Sequence, residues 1–125
     1  MTTNYTTPSK VSNLNYLNEL AKGKPEFVKE MIDIFLEDNR EEIINLEKNI
    51  QNKDYLLIKE VAHKMKSTIA FVGLDHLIEN ELSEIEQMAI EKSDIRKIET
   101  PFIKVKEVCQ KAAEELRFEL KQSTQ

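Results

Sequence analysis

Val61-Ala62-His63-Lys64-Met65-Lys66-Ser67-Thr68-Ile69-Ala70-Phe71-Val72-Gly73-Leu74 is the stretch around which the chain is organised. At about 100° per residue, Ile58, Val61, Ala62, Met65 and Ile69 fall on one stripe with the i, i+3, i+4, i+7 spacing of a buried helical face. His63 lies roughly 130–140° from the centre of that stripe by the same rotation. Lys59 (i−4), Lys66 (i+3), Ser67 (i+4) and Ala70 (i+7) share its side of the helix. The pattern predicts a helix that holds one histidine away from the core, beside ammonium groups and small residues.

Outward from this helix the apolar spacing stays helical, and no strand-like alternation competes. Before it, Leu14, Leu17, Leu20 and Ala21 mark a short helix with Ser12 or Asn13 as its cap. Gly23 stops that helix, and Pro25 is suited to the first turn of the next. The second helix is predicted from Pro25 to about Gln51, with Phe27, Met31, Ile34, Phe35, Ile43, Leu46 and Ile50 as its stripe. The polar run Glu37-Asp38-Asn39-Arg40-Glu41-Glu42 reads as a solvated face. Asn52-Lys53-Asp54 is a turn, with Asp54 as cap of the histidine helix.

After the histidine helix, Gly73 reverses the chain. Leu74, Leu77, Ile78, Leu82, Ile85, Met88 and Ala89 then define a fourth helix, to about Glu91. Ser93-Asp94 opens the last helical region. There Ile95, Ile98, Phe102, Val105, Cys109, Ala112 and Leu116 form a long seam. Thr100-Pro101 either kinks this helix or starts a new one, because proline removes a hydrogen bond and crowds the preceding turn. Short connections favour antiparallel neighbours. The expected fold is all-α: an antiparallel up-and-down four-helix bundle with an additional short N-terminal helix. Residues 1–10 are expected as a flexible tail, 11–121 as the bundle and 122–125 as a frayed end.

Bulk properties narrow the function. At 125 residues the chain is sized for one domain, with 40% apolar and 33% charged residues, as suits a folded bundle. A formal charge of −5 argues against nucleic acid as a partner. Cys109 is the single cysteine, so no internal disulfide and no cysteine-based zinc site is possible; its spacing places it in a helix core. No apolar run approaches the ~20 residues of a membrane span, and no signal-peptide pattern opens the chain, so a cytoplasmic location is expected.

The residues around His63 resemble the phosphoacceptor motif of histidine-containing phosphotransfer (HPt) domains of two-component phosphorelays. That pattern is roughly Ala-His-x-Leu-Lys-Gly-Ser-x-x-x-x-Gly, followed by a Leu-rich helix. Ala62-His63-Lys64-Met65-Lys66-Ser67 is similar to its first half, with Met65 in the leucine position, and Gly73-Leu74 to the turn that follows. Ser67 departs from the family's glycine but is still small. The resemblance implies a four-helix bundle with His63 phosphorylated and Lys66 beside the phosphoryl group. It further implies that receiver domains of response regulators or hybrid histidine kinases supply the aspartate, the Mg²⁺ and most of the catalysis.

The chemistry of the residues is consistent with this. A neutral imidazole is nucleophilic near pH 7, and phosphoryl transfer depends mainly on positioning and charge stabilisation. Lys66 provides a positive charge and Ser67 a hydrogen bond, while Lys59 and Ala70 belong to the docking face. The chain has no Gly-rich nucleotide loop and no recognisable acidic Mg²⁺ site, so it is expected to be a phosphorelay intermediate with no cofactor of its own, not an ATP-using enzyme. A monomer is expected. His76, in the first turn of the fourth helix, reads as a surface or partly packed residue, and Lys64 as a solvated charge. Glu60-Val61-Ala62-His63 has the Glu-x-x-His spacing of di-iron bundles, but no second such motif exists and Glu60 faces away from the core, so no metal site is expected. The stronger rival is a helical adaptor that docks a signalling partner without phosphotransfer.

Overall fold

Each inter-helix turn closes by the same backbone device. In a computed structural model describing residues 10–123, the helices are α1 (Asn15–Leu20), α2 (Pro25–Gln51), α3 (Tyr55–Ala70), α4 (Asp75–Ile90) and α5 (Ile95–Ser123). At the end of α2, Asp54 N donates to Asn49 O at 2.9 Å and Lys53 N to Ile50 O at 3.1 Å. This paired 6→1 and 5→2 bonding satisfies carbonyls that the last helical turn leaves open. The same pair recurs at Gly23/Lys22, Leu74/Gly73 and Ser93/Lys92. With only two glycines in the chain, lysines take the left-handed position elsewhere: Lys22, Lys53 and Lys92 have φ of 53°, 56° and 54°.

Gly73 (φ +76°) has a second constraint. A Cβ there would meet Asn13 Cβ at 2.7 Å and Asn13 backbone O at 3.1 Å. Asn13 N donates to Val72 O at 2.8 Å, and Glu115 on α5 accepts from Val11 N, Ser12 N and Ser12 Oγ at 3.0, 3.0 and 2.6 Å. The segment leading into α1 is therefore pinned across the turn that ends the histidine helix. Gly73→Ala should destabilise the fold by about 1–3 kcal/mol, through backbone strain and displacement of Asn13, read as a lowered melting temperature.

The described residues hold helix and no strand. Helix α2 packs on α3, α3 on α4, α4 on α5 and α5 back on α2, while the diagonal pairs stay apart; α1 packs on α2. Ile58, Ala62, Met65 and Ile69 of α3 are fully buried, as are Ile78, Leu82 and Ile85 of α4 and Ile98, Val105 and Leu116 of α5. Each large apolar side chain so buried contributes about 1.5–3 kcal/mol. Helix α5 runs unbroken through Pro101, so of the two expected outcomes no second helix start occurs. It also continues to Ser123, past the expected end of the bundle at 121. Within the expected tail, Lys10 pairs with Glu119 at 3.3 Å; positions 1–9 and 124–125 lie outside the described residues.

Three local expectations need correction. Of the two cap candidates for α1, neither stands at the cap position, which Leu14 holds without a side-chain cap bond: the Ser12 hydroxyl is held by Glu115, and Asn13 Oδ1 accepts from Asn15 N at 2.8 Å. Phe27 and Ile34, expected on the core stripe of α2, are about half exposed, and Ile32 is buried in their place. The polar run 37–42 is not all solvated, because Asn39 and Glu42 are both only 4% exposed. Asn39 Nδ2 donates to Cys109 Sγ at 3.5 Å. Burial pushes the Cys109 thiol up to about 11, which leaves it a poor nucleophile. Thr68 Oγ1 donates to Glu42 Oε2 at 2.9 Å, while Glu42 Oε1 has no partner among the described residues.

Burial holds the Glu42 carboxyl above its ordinary value of 4.5, against the lowering effects of Thr68 and Lys64. The folded state thus binds this proton more tightly than the unfolded chain. Stability from this group is full below the unfolded pKa and is lost as pH rises through the raised folded value. Glu42→Gln removes the group whose ionised form burial penalises, while keeping an acceptor for Thr68. Glu42→Gln should melt a few degrees higher at pH 7, for a gain of about 1 kcal/mol. Thermal melts from pH 7 to pH 4 should show the two proteins converging.

Candidate functional site

The cap of α3 is the one expected: Asp54 Oδ1 accepts from Leu57 N at 3.2 Å. From this start the apolar stripe turns inward, and His63 emerges on the opposite side with its side chain 72% exposed. Ser67 is also exposed, and Lys59 and Ala70 are half-buried on the same side of the helix. Lys64 is 71% exposed, with its Nζ 4.0 Å from Glu42 Oε2. His76 is exposed on α4, as expected of a surface residue, and Glu60 is exposed on α3.

A residue outside the motif organises the site. Glu86 on α4 accepts from His63 Nδ1 at 2.9 Å through Oε2, and from Lys66 Nζ at 2.7 Å through Oε1. Lys66 is only 26% exposed, so it lies along the α3–α4 seam rather than standing free in solvent. The hydrogen bond from Lys66 is the largest cause holding the Glu86 carboxyl below its ordinary range. At neutral pH Glu86 is therefore an ionised, acceptor-only group. Nδ1 must carry the ring proton to satisfy it, which leaves the lone pair on Nε2, the nitrogen that faces away from Glu86.

Spacing along one helix could place Lys66 and Ser67 beside His63. It could not show Glu86, which is 23 positions from His63 and reaches it only through the register of α3 on α4. The one available signal was a glutamate flanking the α4 core position Ile85 on the side of a neighbouring helix.

Around the exposed end of α3, Ser67, Ala70 and Phe71 line a shallow depression with Tyr16, Glu19 and His76. Tyr16 of α1 packs against Phe71 with ring centroids 5.9 Å apart. Among the described residues no group of three or more His, Cys, Asp or Glu could hold a metal ion, and no helix is long and apolar enough to cross a membrane.

The structure is thus a helical bundle that holds the exposed His63 imidazole and Lys66 on one carboxylate, Glu86. The family model for the Hpt domain matches residues 30–122, and the chain belongs to that family. No curated protein and no solved structure matches it. Membership carries a histidine phosphotransfer role in two-component signalling, in which Hpt domains act as phosphoryl carriers rather than catalytic enzymes. Receiver domains are the family's general partners.

Proposed function

We propose that this chain takes a phosphoryl group onto His63 Nε2 from the aspartyl phosphate of one receiver domain and passes it to the aspartate of another. In the first step the Nε2–P bond forms as the aspartate O–P bond breaks, and the carboxylate leaves. The Nδ1 proton stays where it is, held by Glu86. The second step reverses these bonds on a new receiver. The observation that carries this reading is the Glu86 hydrogen bond at 2.9 Å, which orients the ring and commits Nε2 to the attack.

Lys66 keeps two N–H donors beyond the one given to Glu86, and these are available to phosphoryl oxygens as charge grows on them. Ser67, one turn from His63, offers a hydroxyl on the same face. The receiver supplies Mg²⁺ and the acidic site that binds it. Its approach runs over Lys59, Ser67 and Ala70, and the half-exposed Tyr16 and Phe71 extend that face with apolar surface. The ring of four helices, joined by short turns, is read as an antiparallel up-and-down bundle. A lone buried thiol fits a cytoplasmic setting. The adaptor reading is weaker, because an adaptor has no use for an oriented nucleophile.

Incubation with a phosphorylated receiver tests the proposal. It should give one acid-labile, alkali-stable phosphate per chain, on the peptide that contains His63. Label on another residue, or no label from any receiver of the source organism, would overturn it.

A further inference from the structure

We infer that the chain pairs with a second copy of itself through the face that α2 and α5 form together. In the ring of helices this face lies on the far side from α3 and α4, which hold His63 and Glu86. Two depressions, of ≈ 430 and ≈ 370 Å³, run along the α2–α5 seam. Both are lined by Glu47, Lys106 and Gln110, so they form one continuous groove. Ile44 and Ile103 stand on its walls at 52% and 56% exposure, one on each of the two adjoining helices.

The charges along the groove identify the occupant. Arg40 and Arg117 line one end and Glu99 the other, with Glu107 beside the central Lys106. In the middle Lys106 is neutralised by Glu47 at 3.1 Å. Among the described residues Arg40, Arg117 and Glu107 form no ion pair within the chain.

A two-fold interface lays one patch on its own copy. With the axis along the groove, the basic ends would meet and repel. With the axis across the groove the ends are exchanged. Arg117 then faces the second copy's Glu99, and Ile44 lies near the axis beside its own counterpart. A groove with arginines at one end, a glutamate at the other, and Ile44 and a neutralised Lys106–Glu47 pair between them complements itself in this orientation.

The size sets the strength. From Leu36 to Gln51 the groove is roughly 24 Å long at 1.5 Å per residue. Two packed helices are roughly 20 Å across, so each copy would bury about 500 Å² and the pair about 1,000 Å², the lower bound for a specific interface. A dimer of this size is weak and concentration-dependent. Both His63 side chains remain outward, each free to meet a receiver.

Sedimentation equilibrium of the full chain, from micromolar to millimolar concentration at low salt, tests the inference without any phosphotransfer. A reversible monomer–dimer equilibrium is expected. Ile44→Glu should be monomeric throughout while keeping the parent's circular dichroism. Arg117→Glu and Glu99→Arg should each weaken pairing at least about tenfold, and the two together should restore it. A parent that stays monomeric at every concentration overturns the inference. So does a dimer that survives Ile44→Glu, or a charge-swapped pair no stronger than the single variants.

Discussion

His63→Gln should reduce phosphoryl uptake from a phosphorylated receiver to background while leaving the fold intact. Glutamine has no nucleophilic nitrogen, and no neighbouring group can substitute. Lys66 is engaged with Glu86, and Cys109 is buried with its thiol pushed up to about 11. The fold should survive because the His63 side chain is 72% exposed, and an exposed pair of this kind contributes about 0–1 kcal/mol. His76→Gln should take up label at the parent rate, since among the described residues His76 has no hydrogen-bonded carboxylate comparable to Glu86. Acid-labile label on the His63 variant would move the acceptor elsewhere and end the assignment.

Glu86→Ala should slow transfer by up to roughly 100-fold without abolishing it, the scale expected when a reacting group loses its orientation. Two effects combine. The ring loses the acceptor that keeps the proton on Nδ1, so Nε2 carries that proton for part of the time and cannot attack. Lys66 also loses the contact that holds it along the α3–α4 seam. Glu86→Gln should fall between parent and alanine, because an amide oxygen still accepts from Nδ1 but cannot pair with the ammonium. Nitrogen-15 spectra of the His63 ring read the cause directly: one tautomer in the parent, a mixture in Glu86→Ala. An alanine variant with parent rates and a single tautomer would reduce Glu86 to a surface ion pair.

What was legible beforehand follows from local physics. The stripe Ile58, Ala62, Met65, Ile69 sets the inward face of α3 by rotation alone, and His63 is then outward by arithmetic. The bounds of α2 were readable because Pro25 suits a first helical turn and Asn52-Lys53-Asp54 a helix end. The errors arose where a distant element intervened. Ser12 looked like a cap, but Glu115, more than a hundred positions away, takes its hydroxyl. Glu42 looked solvated within a charged run, but α3 closes over it and Thr68 satisfies one oxygen.

The amino-acid order alone determined the helical class, the helix bounds to within a few residues and the outward position of His63. Each of these depends on interactions within about one helical turn, which spacing encodes directly. Only the tertiary structure decided which nitrogen of that histidine is free, because the answer lies in Glu86 on another helix. It also placed the charges of the α2–α5 groove, since Arg40 on α2 and Glu99 on α5 line one groove only once the two helices are packed. Contacts between helices are set by how whole side-chain rows interlock, and no single spacing in the chain records that.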